Sequence, residues 1–185
     1  CQRRNSSKTW KITMDIEQYI RTVPDYPVPG VNFYDMNSLF ASPVWNSVVT
    51  TMVEVIDELY EAPSHIVGLE SRGFVVGAAI AYAMELPFVM VRKKGAKYPG
   101  KLFEETYQLE YGSDTLTLQE GILGHVSRCI ITDDLVATGG SALATKRLIE
   151  QTGARVLGIV APVNLAYLNK VTSLDTPITA LLEVN

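Results

Sequence analysis

An α/β fold on a parallel sheet is what this 185-residue sequence predicts, on three observations. Short runs rich in Val, Ile and Leu alternate with stretches of helical periodicity, the pattern of strands joined by crossover helices. Two of those runs end in dense polar turns that feed helix starts, Glu70-Ser71-Arg72-Gly73 and residues 133–141. Hydrophobic residues make up 47% of the chain, enough to bury one core in a length that fits one domain.

Residues 1–13 are polar, rich in Ser, Lys and Arg, and lack periodic apolar positions, so a flexible extension is expected ahead of a single domain over 14–185. Arg3-Arg4 has no apolar run behind it, which argues against a signal peptide or twin-arginine signal, and the missing initiator Met points to a truncated or processed leader. A short amphipathic helix is expected over 14–23. Three prolines then stiffen a loop over 23–30. Ser42-Pro43 reads as a helix start, a capping hydroxyl followed by proline at the first helical position. Val44, Val48, Met52, Val55, Ile56 and Leu59 follow at helical spacing.

His65–Leu69 reads as a buried strand, residues 74–85 as an almost wholly apolar helix and 87–92 as another strand. A polar, glycine-bearing segment over 93–106 leads to strand-like runs at 107–111 and 115–119, with Gly112-Ser113-Asp114 as a hairpin signal between them. A buried strand follows at 129–132, then a helix over 141–152 closed by Gly153. The last strands are expected at 154–163 and over Ile178–Val184.

The formal charge of −4 gives the molecule no general basic field, so a polyanion would have to be gripped locally, and neither nucleic acid nor membrane is expected as a partner. The longest apolar stretch, 74–84, is about half of a bilayer span. Cys1 and Cys129 have neither metal-site nor disulfide spacing, which fits a cytoplasmic location. His65 and His125 fit no catalytic geometry and read as structural.

In parallel sheets ligands sit beyond the carboxyl ends of strands, and both polar turns fall at that edge, so one site with two walls is expected. In the stretch Ile131-Thr132-Asp133-Asp134, two carboxylates about 4 Å apart would repel by roughly 4 kcal/mol at an effective dielectric of about 20, although adjacent side chains can point apart. Behind them Ala137-Thr138-Gly139-Gly140-Ser141 can aim several amides and two hydroxyls at one point, with a helix dipole in support. Neither a Walker A spacing nor Gly-x-Gly-x-x-Gly is present. Acid for a diol beside amides for a phosphate describes a ribose 5-phosphate.

The stretch CIITDDLVATGGS resembles the phosphoribosyl pyrophosphate motif of the type I phosphoribosyltransferases. Its Ala-Thr-Gly-Gly form is similar to that of the adenine-specific members rather than the xanthine enzymes and purine-sensing repressors. PDYPVPGVNFYD, GLESRGF, VRKKGAKYPG and LEYG match in order, so the resemblance covers nearly everything from Asp15 onward. It implies a parallel sheet with helices on both faces, a mobile lid or hairpin over its C-terminal edge, a homodimer, and transfer of the 5-phosphoribosyl group to adenine.

The same resemblance implies the roles of individual residues. Asp133 and Asp134 would hold the ribose hydroxyls, with Mg²⁺ carried by the substrate rather than bound directly by the protein. Ala137, Thr138, Gly139, Gly140 and Ser141 would hold the 5′-phosphate. Glu70, Ser71 and Arg72 would form the pyrophosphate loop, with a cis peptide between Glu70 and Ser71. Arg92, Lys93, Lys94 and Lys97 would add a local grip on pyrophosphate. Residues 97–109 would be the lid that excludes water. Glu110, with Tyr111 beside it, would handle the purine proton. Val31, Asn32 and Phe33 would meet the purine edge and face, and Leu165 would stack across it.

Three positions depart from the family pattern. Tyr34 replaces an arginine, Asn164 replaces a common glutamate, and the lid entrance is one residue longer, leaving Lys94 and Lys97 as alternative phosphate contacts. Tyr34 and Asn164 motivate a 6-oxopurine as an alternative base. The basic tail, with Arg3, Arg4, Lys8 and Lys11, motivates a non-catalytic sensor of the same phosphosugar as a second alternative.

Overall fold

A computed structural model describes residues 15–108, 112–169 and 174–185. Its centre is an eight-stranded sheet in which β10 (Ile178–Val184), β9 (Arg155–Leu165), β7 (Arg128–Thr132), β3 (His65–Leu69), β4 (Phe88–Lys93), β6 (Ser113–Gln119) and β5 (Leu102–Gln108) run in that spatial order. The strands from β10 to β4 are mutually parallel, and β8 (Leu135–Val136) pairs with β9. The β5–β6 hairpin is antiparallel and joins the sheet through β6 on β4.

Strand alternation sorts the core onto two faces. Ile66, Ile130 and Val160 point toward α2 (Trp45–Leu59) and α3 (Arg72–Ala83), where Val48, Met52, Ile56, Val76 and Ile80 meet them. Val67, Ile131 and Ile159 point the other way, onto Leu148 and Ile149 of α4 (Gly140–Gln151). The expected helices on both faces are therefore present.

The segment after Ser42 forms its helix later than expected. Ser42 Oγ donates to Leu39 O at 2.7 Å and so closes α1 (Met36–Phe40), while α2 begins at Trp45 behind Val44 without a side-chain cap. Leu59 is exposed, and Tyr60 takes the inward place instead, its ring packed on Gly158 and its hydroxyl 2.9 Å from Thr179 Oγ1.

The expected helix over 14–23 is a 3-10 turn, Glu17–Tyr19, followed by β1 (Arg21–Val23). β1 pairs antiparallel with β2 (Phe33–Asp35), so long-range pairing across the proline loop prevails over local periodicity. The polar segment expected up to 106 enters the sheet at Leu102. There Phe103, Glu105 and Tyr107 alternate with the more exposed Glu104, Thr106 and Gln108, and all seven residues of β5 pair with β6. Ser113 and Asp114, expected in the turn, belong to β6.

Candidate phosphosugar site

The site begins with the register of two neighbouring strands. Gly68 of β3 lies opposite Thr132 of β7, so the turn after Leu69 and the acids after Thr132 emerge side by side at the carboxyl edge. Helix α3 can press onto that edge because Gly73 and Gly77 have no side chains. A Cβ on Gly77 would stand 2.5 Å from Thr132 Oγ1 and 2.6 Å from the Phe88 ring, and one on Gly73 would stand 2.9 Å from Asp133 Oδ1. The start of α3, with its free amides and positive dipole end, is thereby fixed beside Asp133.

A cleft of about 360 Å³ opens between the two turns. Glu70, Ser71, Arg72, Asp133, Asp134, Ala137 and Ser141 line it, together with Lys93 of β4 and Tyr107 of β5. The expected two-walled arrangement is thus assembled. Thr138, Gly139 and Gly140 form the bend between Ala137 and Ser141. Gly139 has φ 83°, a left-handed conformation open to glycine at little cost, and α4 starts at the next residue. The first amides of a helix have no partner within it, and here the Gly140 N–H donates to Thr138 Oγ1 at 3.5 Å. Tyr107 lies over that bend: a Cβ added to Gly140 would stand 3.5 Å from Tyr107 Cδ2.

The acid wall is built by burial. Asp134 is 4% exposed and lies 2.9 Å from Arg72 Nε, while Asp133 Oδ1 accepts the Asp134 N–H at 2.9 Å. Burial and then the Asp134 charge push the Asp133 carboxyl well above the usual carboxylate range. Burial also raises Asp134, against the pull of the Arg72 guanidinium. The buried Asp134 Oδ2 faces Arg72 Nε in a geometry short of a hydrogen bond, and the buried Arg92 Nε lacks a hydrogen-bond partner among the described residues. A buried guanidinium N–H in need of an acceptor suits a phosphate oxygen.

The opposite wall is held by ion pairs. Glu70 joins Arg92 Nη2 at 3.3 Å and also accepts the Lys93 N–H, which ties the β3–α3 turn to the end of β4. Lys93 Nζ lies 2.8 Å from Asp114 Oδ2, and Lys94 Nζ lies 2.8 Å from Glu104 Oε2. Lys97 is exposed and has no ion pair among the described residues. The Arg92 guanidinium stacks on Tyr98, 5.4 Å from the ring centroid. The expected cis peptide between Glu70 and Ser71 is absent: the cis bond among the described residues is Tyr26–Pro27, and the turn is made by Ser71 at φ 75°.

Of the residues expected at the base, Phe33 approaches the cleft through the Arg72 guanidinium, 5.5 Å from its ring, and Tyr26 packs edge-on against it. Val31 and Asn32 are exposed beside it, whereas Leu165 is buried in the core at the end of β9 and does not line the cleft. Glu110 and Tyr111 lie outside the described residues. The two family departures are engaged within the protein: Tyr34 contacts Tyr167, while Asn164 donates to Glu183 at 2.8 Å and accepts from Asn169 at 2.9 Å. Sequence reasoning missed Tyr107 and Asp114 as neighbours of the site. The alternation in 102–108 was the signal that would have placed them opposite one another, as the register Tyr107↔Asp114 does.

Residues 42–173 match the family described as "Phosphoribosyl transferase domain". Adenine phosphoribosyltransferase of Rhodospirillum centenum is 42% identical over 170 residues, covering 91% of this chain and 98% of that one. The Desulfitobacterium hafniense adenine phosphoribosyltransferase is 46% identical over 156 residues, covering 84% and 88%. Among solved structures, the Saccharomyces cerevisiae enzyme complexed with an imino-altritol bisphosphate and adenine superposes with a TM-score of 0.85 at 36% identity, covering 90% of this chain and 96% of that one. The Rhodothermus marinus adenine phosphoribosyltransferase gives 0.82 at 37%, covering 91% and 96%.

Proposed function

Because the chain belongs to the adenine phosphoribosyltransferase family, we propose that its cleft transfers the 5-phosphoribosyl group of 5-phosphoribosyl 1-pyrophosphate to adenine, giving AMP and pyrophosphate. The observation that carries this reading is the convergence, in one cleft, of the Asp133 and Asp134 carboxylates with Ala137 and Ser141, which flank the glycine bend at the start of α4. Asp133 and Asp134 accept from the ribose hydroxyls, and residues 137–141 hold the 5′-phosphate. Arg72, Lys93 and the Arg92 guanidinium meet the diphosphate on the other wall. As the C1′–O bond to pyrophosphate breaks, adenine N9 forms the new bond to C1′ and loses its proton. Glu110 is assigned as the proton acceptor, beside Tyr111, on the LEYG motif alone.

No group of three or more His, Cys, Asp or Glu that could hold a metal converges among the described residues. On the family resemblance Mg²⁺ would be carried by the substrate's own oxygens, with Asp133 and Asp134 as the acids beside it, and would supply charge neutralisation for the leaving diphosphate. The β5–β6 hairpin and the 94–101 loop are the lid in this reading. A homodimer is supported by the outer face of α3, where Tyr82 is 88% and Val75 44% exposed, with Met90 on the same side of β4 at 42%. The charge of −4 supports neither nucleic acid nor membrane as a partner, and no described helix is long and apolar enough to cross a membrane. A cytoplasmic location follows from the family reading and the buried free thiol of Cys129.

Tyr34 and Asn164 are occupied by protein partners away from the cleft lining, so the 6-oxopurine alternative loses its motive, and the relatives' names support adenine. The test is pyrophosphate release from the phosphosugar and Mg²⁺ with adenine, hypoxanthine, guanine or xanthine. Adenine should be consumed far faster than the other three. Release with none of them would reject the reading.

A further inference from the structure

The cations in and around the cleft are already matched by carboxylates of the chain itself. Arg72 has Asp134, Arg92 has Glu70, Lys93 has Asp114 and Lys94 has Glu104. Of these acids, Asp134 is part of the buried ribose wall, and Glu70 also accepts the Lys93 amide and so braces the turn. Glu104 pairs with Lys94, which does not line the cleft, whereas the partner of Asp114 does. Asp114 differs from all three. It stands near the start of β6, it is partly exposed, and beyond Lys93 its partner is the neighbouring Thr115 N–H, which Oδ1 accepts at 2.8 Å.

Lys93 is at once a lining residue of the cleft and the partner of Asp114. Its side chain is 60% exposed, so the pair is accessible to solvent and to an incoming anion. A diphosphate can reach Lys93 only by taking over an ammonium that a carboxylate already holds. The same carboxylate would then be left close to the incoming negative charge. Both effects weaken the diphosphate, and neither touches the ribose wall.

We propose that Asp114 is a positioning residue that acts through Lys93: it holds the ammonium, competes with the diphosphate for it, and so loosens pyrophosphate and speeds its release. This rests on the transferase reading above. It predicts that the acid lowers affinity for diphosphate ligands and leaves a monophosphate bound at the other end unaffected.

The experiment is calorimetric titration of inorganic pyrophosphate with Mg²⁺, and separately of AMP, into the full chain and its Asp114→Asn variant. Asparagine keeps the oxygen that accepts the Thr115 N–H. Pyrophosphate should bind the variant about three- to tenfold more tightly, given what exposed pairs and one nearby charge contribute, while AMP affinity stays within about twofold. In a Lys93→Gln background the same change should have much less effect, because the competition has lost its object. As a second measurement on the unaltered chain, the Asp114 carboxyl carbon should shift in NMR spectra when pyrophosphate is added.

Equal or weaker pyrophosphate binding by Asp114→Asn, an undiminished effect without Lys93, or an unmoved Asp114 resonance would each overturn the proposal while leaving the transferase reading intact. If the unaltered chain bound neither pyrophosphate nor AMP, the transferase reading itself would fail, and this inference with it.

Discussion

Asp134 and Lys93 face the same cleft from opposite walls and are held there by different means. Asp134 is buried, and its position is fixed by the Arg72 guanidinium and by the close approach of α3, through Gly73 and Gly77, to the preceding Asp133 and Thr132. Lys93 is mostly exposed at the end of β4 and is held by its ion pair with Asp114 and by the Glu70 carboxylate beneath its amide. Packing fixes one wall, while exchangeable electrostatics holds the other. The difference suits a reaction in which the ribose 5-phosphate stays and the diphosphate must leave. The ribose end needs preorganised groups whose reorganisation cost was met on folding. The diphosphate end needs contacts weak enough to break in each turnover.

Substitutions on the two walls should therefore fail in different ways, and the largest effect belongs to the residue that spans both. Arg72→Ala leaves the Asp134 carboxylate buried without its counter-charge. We expect a loss of about 2 kcal/mol in urea unfolding, less than for a fully buried pair because Arg72 is partly exposed, and roughly a hundredfold loss of kcat/KM. An unchanged unfolding midpoint would mean that Arg72 does not support the acid wall.

Gly77→Ala tests the packing alone. The new methyl meets Thr132 Oγ1 and the rigid Phe88 ring at distances that real contacts do not show, so α3 must lift from β3 and β7. The expected cost is about 1–3 kcal/mol, read as a fall in Tm of roughly 3–10 °C. The same substitution at an exposed helical site should change Tm by less than about 2 °C.

Asp133→Asn should separate stability from activity. Burial and the Asp134 charge raise the Asp133 pKa, so the native state binds this proton more tightly than the unfolded chain does. The unaltered protein should therefore gain stability from this group as pH falls from the raised native value toward the ordinary carboxylate range. Asparagine has no such proton to bind. The variant should melt roughly 2 °C higher at neutral pH, lack that part of the acid-side gain, and lose most of its transferase rate. A lower Tm at neutral pH would show that the carboxylate is stabilised where it stands.

The smallest effects are expected on the exposed wall. Lys94→Gln removes an exposed partner of Glu104, and Lys97→Gln removes a cation without an ion pair among the described residues. Whichever lysine meets the substrate should raise KM for the phosphosugar about two- to fivefold with little change in Tm, and the other should change neither. Equal effects from both would mean that the longer loop positions neither one specifically.

The acid wall could be read from the sequence because its chemistry is contiguous: Asp133, Asp134 and the bend over 137–141 follow one strand, and glycine spacing marks the close approach. The central strands were equally clear, since a buried parallel strand is a continuous apolar run. The other wall is non-contiguous. Lys93 meets Asp114 only because β6 pairs antiparallel with β4, and Tyr107 reaches the phosphate bend only because the polar run over 102–108 is a strand. Its charges hid an alternation of period two. The N-terminal region misled for a related reason: apolar spacing in 14–23 suggests a helix, but pairing of β1 with β2 wins across the proline loop. Ser42 likewise has a capping residue's identity, yet its hydroxyl closes the preceding helix.

The most direct test of the central claim is an amide chemical-shift titration with ribose 5-phosphate, which carries the diol and the phosphate and nothing else. The largest shifts should fall on the backbone amides of Thr138, Gly139, Gly140 and Ser141, with smaller ones at Asp133 and Asp134 and little change at Lys93. Shifts confined to the Lys93 side, or saturation with the 138–141 amides unmoved, would contradict the assignment of that bend as the phosphate cradle.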